Sequence, residues 1–121
     1  MIVGIGTDLV ENRRLESWLS QPKLLEKYFT EDELQDVNQS AHPAASLAAR
    51  FAAKEAFGKA LGTGLGGLSL RDIETRRQPG GKPTLQLAGA ARQALEARGA
   101  RAHLTLSHER DYSLAFVVLE V

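Results

Sequence analysis

The chain has 121 residues, no cysteine, and fifteen basic residues balanced by fifteen acidic ones. That length argues for one domain, residues 1–121, able to bury about two-thirds of its unfolded surface without staples. The missing cysteine excludes disulfides and thiolate chemistry, and the charge balance offers no basic coat for nucleic acid or for an anionic membrane.

The N-terminus, MIVGIGTDLV, lacks the basic and long apolar regions of a signal peptide, and no run reaches the roughly 18 apolar residues of a membrane span. The expectation is a soluble, cytoplasmic protein. Residues 2 to 9 read as a strand. Ile2, Gly4, Gly6 and Asp8 share one face; Val3, Ile5, Thr7 and Leu9 share the other. The two glycines leave a smooth strip that another backbone can approach. Asp8 ends that strip, where it could also cap a following helix. Residues 10 to 21 turn helical, with Leu15, Trp18 and Leu19 at i, i+3, i+4 and an interruption at Pro22. KLLEKYF continues. Thr30 followed by Glu33 is a capping box for EDELQDVNQ. After a break at AHP, a long helix runs from about Pro43 to Leu61 and ends at Gly62 and Gly64.

RDIETRR and KPTLQL read as strands around Pro79-Gly80-Gly81, a hairpin signal. AGAARQALEARG is a helix ended by Gly99. AHLTLSH and SLAFVVLEV are strands around the polar turn ERDY. The order β-α-α-α-β-β-α-β-β gives an α+β fold, with helices packed on a mostly antiparallel sheet.

The long helix poses the functional question. It is apolar nearly all round, which marks a buried helix, yet it carries Arg50, Lys54, Glu55 and Lys59. On a wheel of about 100° per residue, Leu47, Phe51, Lys54, Phe57, Gly58 and Leu61 form one stripe with Lys54 near its centre. Glu55 and Lys59 lie beside it at i, i+4, and Arg50 lies on its other flank. Local pairing accounts for Glu55 with Lys59 but leaves Arg50 and Lys54 without partners on the helix. The other reading is a cleft for a strongly anionic ligand, with Glu55 free to hold a divalent cation. If the helix packs on Gly4 and Gly6, Glu55 can approach Asp8. Two carboxylates suit magnesium, which completes its shell with phosphate oxygens and waters. Gly62-x-Gly64-x-x-Gly67 follows a helix rather than a strand, so it is no dinucleotide fingerprint. No histidine spacing resembles a zinc site.

Several segments in this order, GIGTDLVE, FTEDE, RFAAKEAFGKALGTG, GKP and LSH, resemble the holo-acyl-carrier-protein synthases, the short-chain 4′-phosphopantetheinyl transferases. The resemblance spans nearly the whole chain. It implies a magnesium-dependent transfer of 4′-phosphopantetheine from coenzyme A to a serine hydroxyl of apo-acyl carrier protein, releasing adenosine 3′,5′-bisphosphate. By similarity, Asp8 and Glu55 match the magnesium ligands and Lys59 the lysine near the transferred phosphate. Arg50, Lys54, Gly62, Gly64, Lys82, Pro83, Ser107 and His108 match segments lining the coenzyme A site. Glu55 itself, or a water it orients, would take the serine proton. The family docks its carrier on the first helix, where Arg14 is the matching position. It is typically a homotrimer with active sites shared between subunits.

Overall fold

The computed structural model describes residues 1–121. Its strands are β1 (Ile2–Glu11), β2 (Ile73–Arg77), β3 (Pro83–Leu87), β4 (Arg101–Glu109) and β5 (Tyr112–Glu120). Its α-helices are α1 (Pro22–Tyr28), α2 (Glu31–Gln39), α3 (Pro43–Leu61) and α4 (Gly89–Ala97). One sheet has the order β1-β5-β4 and the other is the β2-β3 hairpin; every pairing is antiparallel. The α+β class expected from the element order holds. No helix is long and apolar enough to cross a membrane.

α3 runs through the middle of the core. Its small residues Ala48, Ala52, Ala53, Ala56 and Ala60 are buried, and Leu47 and Phe57 fill the space around them. The glycine strip of β1 explains the close seating. A Cβ at Gly4 would collide with the Ala60 carbonyl oxygen, and one at Gly6 with that of Ala56. Two backbones therefore meet where no side chain intervenes, and this brings the residue after the strip, Asp8, beside α3. At the other end, Gly62 adopts a left-handed conformation with φ of 80° and its N–H bonds to Lys59 O. Gly64 folds back so that its N–H meets Gly58 O at 3.0 Å.

Three expectations for the first segment need correction. β1 does not stop at Leu9: Val10 and Glu11 still pair with Ser113 and Tyr112. Asp8 consequently caps no helix. Residues Asn12–Ser20 form a 3-10 helix rather than an α-helix. The Leu15–Trp18 spacing of three is equally at home at three residues per turn, so periodicity alone could not separate the two. Ile2 also leaves the Gly4 face, because the register shifts between Ile2 and Gly4.

The opposite face of the three-stranded sheet is open, apolar along β1 and β5 and polar along β4. Ile5 is 61% exposed and Leu9 58%, and Tyr112 and Phe116 on β5 are exposed beside them. These residues alternate with the buried set Ser113, Ala115, Val117 and Leu119, which faces α3.

Candidate functional site

Two groups of charged side chains sit on α3, and they point in different directions. Arg50 and Glu55 are five residues apart, which places them about 140° apart around the helix.

The first group gathers where α3 crosses β1. Lys59 Nζ donates to Asp8 Oδ1 at 3.1 Å and to Thr7 O at 3.0 Å. Glu55, one turn earlier, is half-buried. Burial first, and then the neighbouring Asp8 charge, hold its carboxyl above the ordinary carboxylate range, while Lys59 and Arg14 act in the opposite sense. Asp8, Glu55, Lys59 and Arg14 are thus close enough to feel one another. No histidine, cysteine or further carboxylate joins Asp8 and Glu55 to make a third donor. Two hard oxygen donors in mutual repulsion, with a cation already drawn to Asp8, fit a magnesium ion whose remaining ligands are phosphate and water.

The second group lines a cavity of about 1080 Å³ formed by the end of β1, the 3-10 segment, the facing ends of α2 and α3, and the β4–β5 turn. Arg50, Arg77 and His108 contribute to its wall. Arg50 is 2% exposed. Its guanidinium donates to Ser46 Oγ at 2.7 Å, Ser46 O at 3.2 Å and Asp36 Oδ2 at 3.1 Å, while its Nε has no partner. A buried N–H left unbonded costs free energy that an entering acceptor would recover. The His108 imidazole is pushed below its ordinary value by partial burial, then by Arg77 and Arg50. Arg13, Arg50, Arg77 and Arg110 share the wall with Glu11, Glu16, Asp36 and Asp111, so any pull on an anion is local to the Arg50, Arg77 and His108 side of the recess.

Lys54 belongs to neither group, and its expected place in the coenzyme cleft is corrected here. It and Glu33 are both 0% exposed. Its ammonium donates to Glu33 Oε1 at 2.8 Å, Leu70 O at 2.8 Å and Ile73 O at 2.6 Å, which uses all three protons. The Phe29 ring lies 5.0 Å away. Glu33 in turn accepts from the Thr30 and Thr75 N–H groups. The capping box is real, with both of its halves formed, but its glutamate also neutralises the buried lysine.

The other expected residues are more dispersed. Gly62 and Gly64 form the turn just after Lys59, on the side of the carboxylate pair. Pro83 pairs with Arg77 across the hairpin, so Lys82-Pro83 adjoins the cavity without lining it. Ser107 is exposed on the face of β4 opposite His108 and does not reach that cavity. Arg14 is exposed on the 3-10 segment. Sequence reasoning missed Asp36 and Arg77. Arg77 directly precedes the hairpin turn, and that adjacency to GKP was the one available signal.

The model of the 4′-phosphopantetheinyl transferase superfamily matches residues 4–117. A Treponema denticola holo-[acyl-carrier-protein] synthase is 52% identical over 124 residues, covering 99% of both chains. That of Syntrophus aciditrophicus is 46% identical, covering 99% of this chain and 97% of its own. Among solved structures, the Neisseria meningitidis holo-[acyl-carrier-protein] synthase superposes with a TM-score of 0.88 at 42% identity, covering 100% of each chain. A Bacillus anthracis synthase in complex with CoA (3′,5′-ADP) gives 0.80 at 38% identity, over 99% of this chain and 97% of that one. With a family match along almost its whole length and relatives aligned end to end, the chain belongs to the 4′-phosphopantetheinyl transferase superfamily, among the holo-acyl-carrier-protein synthases.

Proposed function

We propose that residues 1–121 form one catalytic domain that moves 4′-phosphopantetheine from coenzyme A to a serine hydroxyl of apo-acyl carrier protein, with magnesium, releasing adenosine 3′,5′-bisphosphate. The observation that carries this reading is the meeting of Asp8, Glu55 and Lys59 at the β1–α3 crossing. The nucleophile belongs to the carrier, so the enzyme needs no serine or cysteine of its own. Asp8 and Glu55 would hold the magnesium, which supplies positive charge to the diphosphate. Lys59 would exchange its bond to Asp8 for the transferred or leaving phosphate and stabilise its charge. Glu55, or a water it orients, is a candidate to take the serine proton.

Coenzyme A carries a phosphate monoester separate from its diphosphate. The cavity at Arg50, Arg77 and His108 offers a second cationic place for it. Because that place and the carboxylate pair point apart on one chain, we infer that a coenzyme bridges neighbouring copies in a homotrimer, with the open apolar face around Ile5, Leu9 and Phe116 buried between them. Sedimentation should give a trimer, and a fully active monomer would contradict this arrangement.

Arg14 would face the acidic carrier in the cytoplasm. Arg14→Glu should raise KM for the carrier about tenfold at low salt, leave KM for coenzyme A near wild type, and lose most of this difference at high salt. Equal KM values for the carrier at low salt would place docking elsewhere. The test of the function itself is the intact mass of the carrier after incubation with coenzyme A and magnesium. A phosphopantetheine adduct that chelation prevents is the expected result; no adduct across metal and pH conditions would overturn the assignment.

A further inference from the structure

Ser113 is wholly buried on β5, away from the carboxylate pair, yet its hydroxyl joins three elements. Oγ lies 3.0 Å from His108 Nδ1, 2.7 Å from Asn12 Oδ1 and 3.2 Å from Ala45 O. A hydroxyl has one proton to give. The Ala45 carbonyl can only accept. Asn12 Oδ1 accepts too, because the same amide's Nδ2 donates to Arg110 O at 3.3 Å. Both neighbours therefore ask for the Ser113 proton, and Oγ can only accept from His108. That assigns the imidazole proton to Nδ1 and leaves Nε2 as a bare lone pair. Nε2 makes no hydrogen bond within the chain, and His108 lines the cavity.

We propose that Ser113, oriented by Asn12, is a positioning residue that holds His108 as its Nδ1–H tautomer, so that Nε2 takes up a proton and donates a hydrogen bond to a phosphate entering the cavity. This rests on the reading of the cavity as part of the coenzyme site. The proton comes from solvent, and no bond of the ligand breaks. The charges around the ring fit such a coupling. Partial burial first, then Arg77 from β2 and Arg50 from α3, disfavour the imidazolium in the free protein. Asp36 from α2 is engaged with Arg50. The other charged or titratable groups of the cavity, Glu11, Arg13, Glu16, His42, Arg110 and Asp111, make no salt bridge to His108. A phosphate dianion would supply the missing negative charge and make protonation favourable.

Two measurements on the full chain test this. Long-range proton–nitrogen NMR of the free wild type should show His108 as the Nδ1–H tautomer, and Ser113→Ala should show a mixture. Calorimetric titration with adenosine 3′,5′-bisphosphate, at neutral pH in buffers of different ionisation enthalpy, should show proton uptake on binding. Ser113→Ala should bind about tenfold more weakly and take up less. An Nε2–H tautomer in the wild type, binding without proton uptake, or a Ser113→Ala variant that keeps tautomer and affinity would each overturn the proposal while leaving the coenzyme site intact. A wild type that does not bind the bisphosphate would overturn the coenzyme site and the proton coupling with it.

Discussion

Asp8→Ala should lower turnover by about a thousandfold, the effect of removing several kcal/mol of charge stabilisation from a phosphoryl transfer. On the proposed magnesium role, Asp8 is one of two carboxylates at the site, and its loss would leave Glu55 to hold the cation alone. The same change frees Lys59 from the 3.1 Å ion pair that orients it. The deficit should be deepest at limiting magnesium and shrink with excess metal. Folding should survive, because the Gly4 and Gly6 seating on α3 does not involve the Asp8 side chain. Initial rates across a magnesium series, with thermal melts as the control, check this. Full activity of Asp8→Ala at limiting magnesium would remove Asp8 from the mechanism.

Lys54→Met should act through stability instead. It leaves Glu33 as a buried, uncompensated charge and strips the Leu70 and Ile73 carbonyls of their donor. Breaking a buried pair from one side costs about 3–5 kcal/mol, a large share of the 5–15 kcal/mol that typically holds a domain. The midpoint of urea unfolding should fall accordingly. Glu33→Leu combined with Lys54→Met should regain part of the loss, because no lone charge then remains. At a temperature where Lys54→Met is folded, its KM for coenzyme A should stay near that of the wild type. A raised KM with unchanged stability would return Lys54 to the coenzyme site.

Features set by local sequence signals were legible in the sequence, and those set by distant partners were not. α3 was legible from end to end because its signals are local: Pro43 at the start, Gly62 in the left-handed conformation at the finish. The capping box at Thr30 and Glu33 and both hairpins were legible for the same reason. The glycine strip of β1 correctly announced the close approach of another backbone, and with it the meeting of Asp8 and α3. What was not legible depends on partners distant in sequence. The extension of β1 through Glu11 is set by β5 at the other end of the chain. Lys54 and Glu55 are neighbours in sequence but lie about 100° apart on the helix, one turned wholly inward and one toward the rim. Glu33, 21 residues earlier, and the Leu70 and Ile73 carbonyls, later in the chain, separate their roles. Asp36 and Arg77 likewise join Arg50 at the cavity through packing that no motif encodes.

On the proposed reading the charges of α3 divide: Glu55 would serve a metal beside Asp8, while Lys54 serves the core. Electron paramagnetic resonance of Mn²⁺, added with coenzyme A as a stand-in for magnesium, tests it most directly. A protein-bound manganese signal is expected for the wild type and for folded Lys54→Met, and its loss for Asp8→Ala. Manganese bound as tightly by Asp8→Ala as by the wild type would remove Asp8 from the metal site.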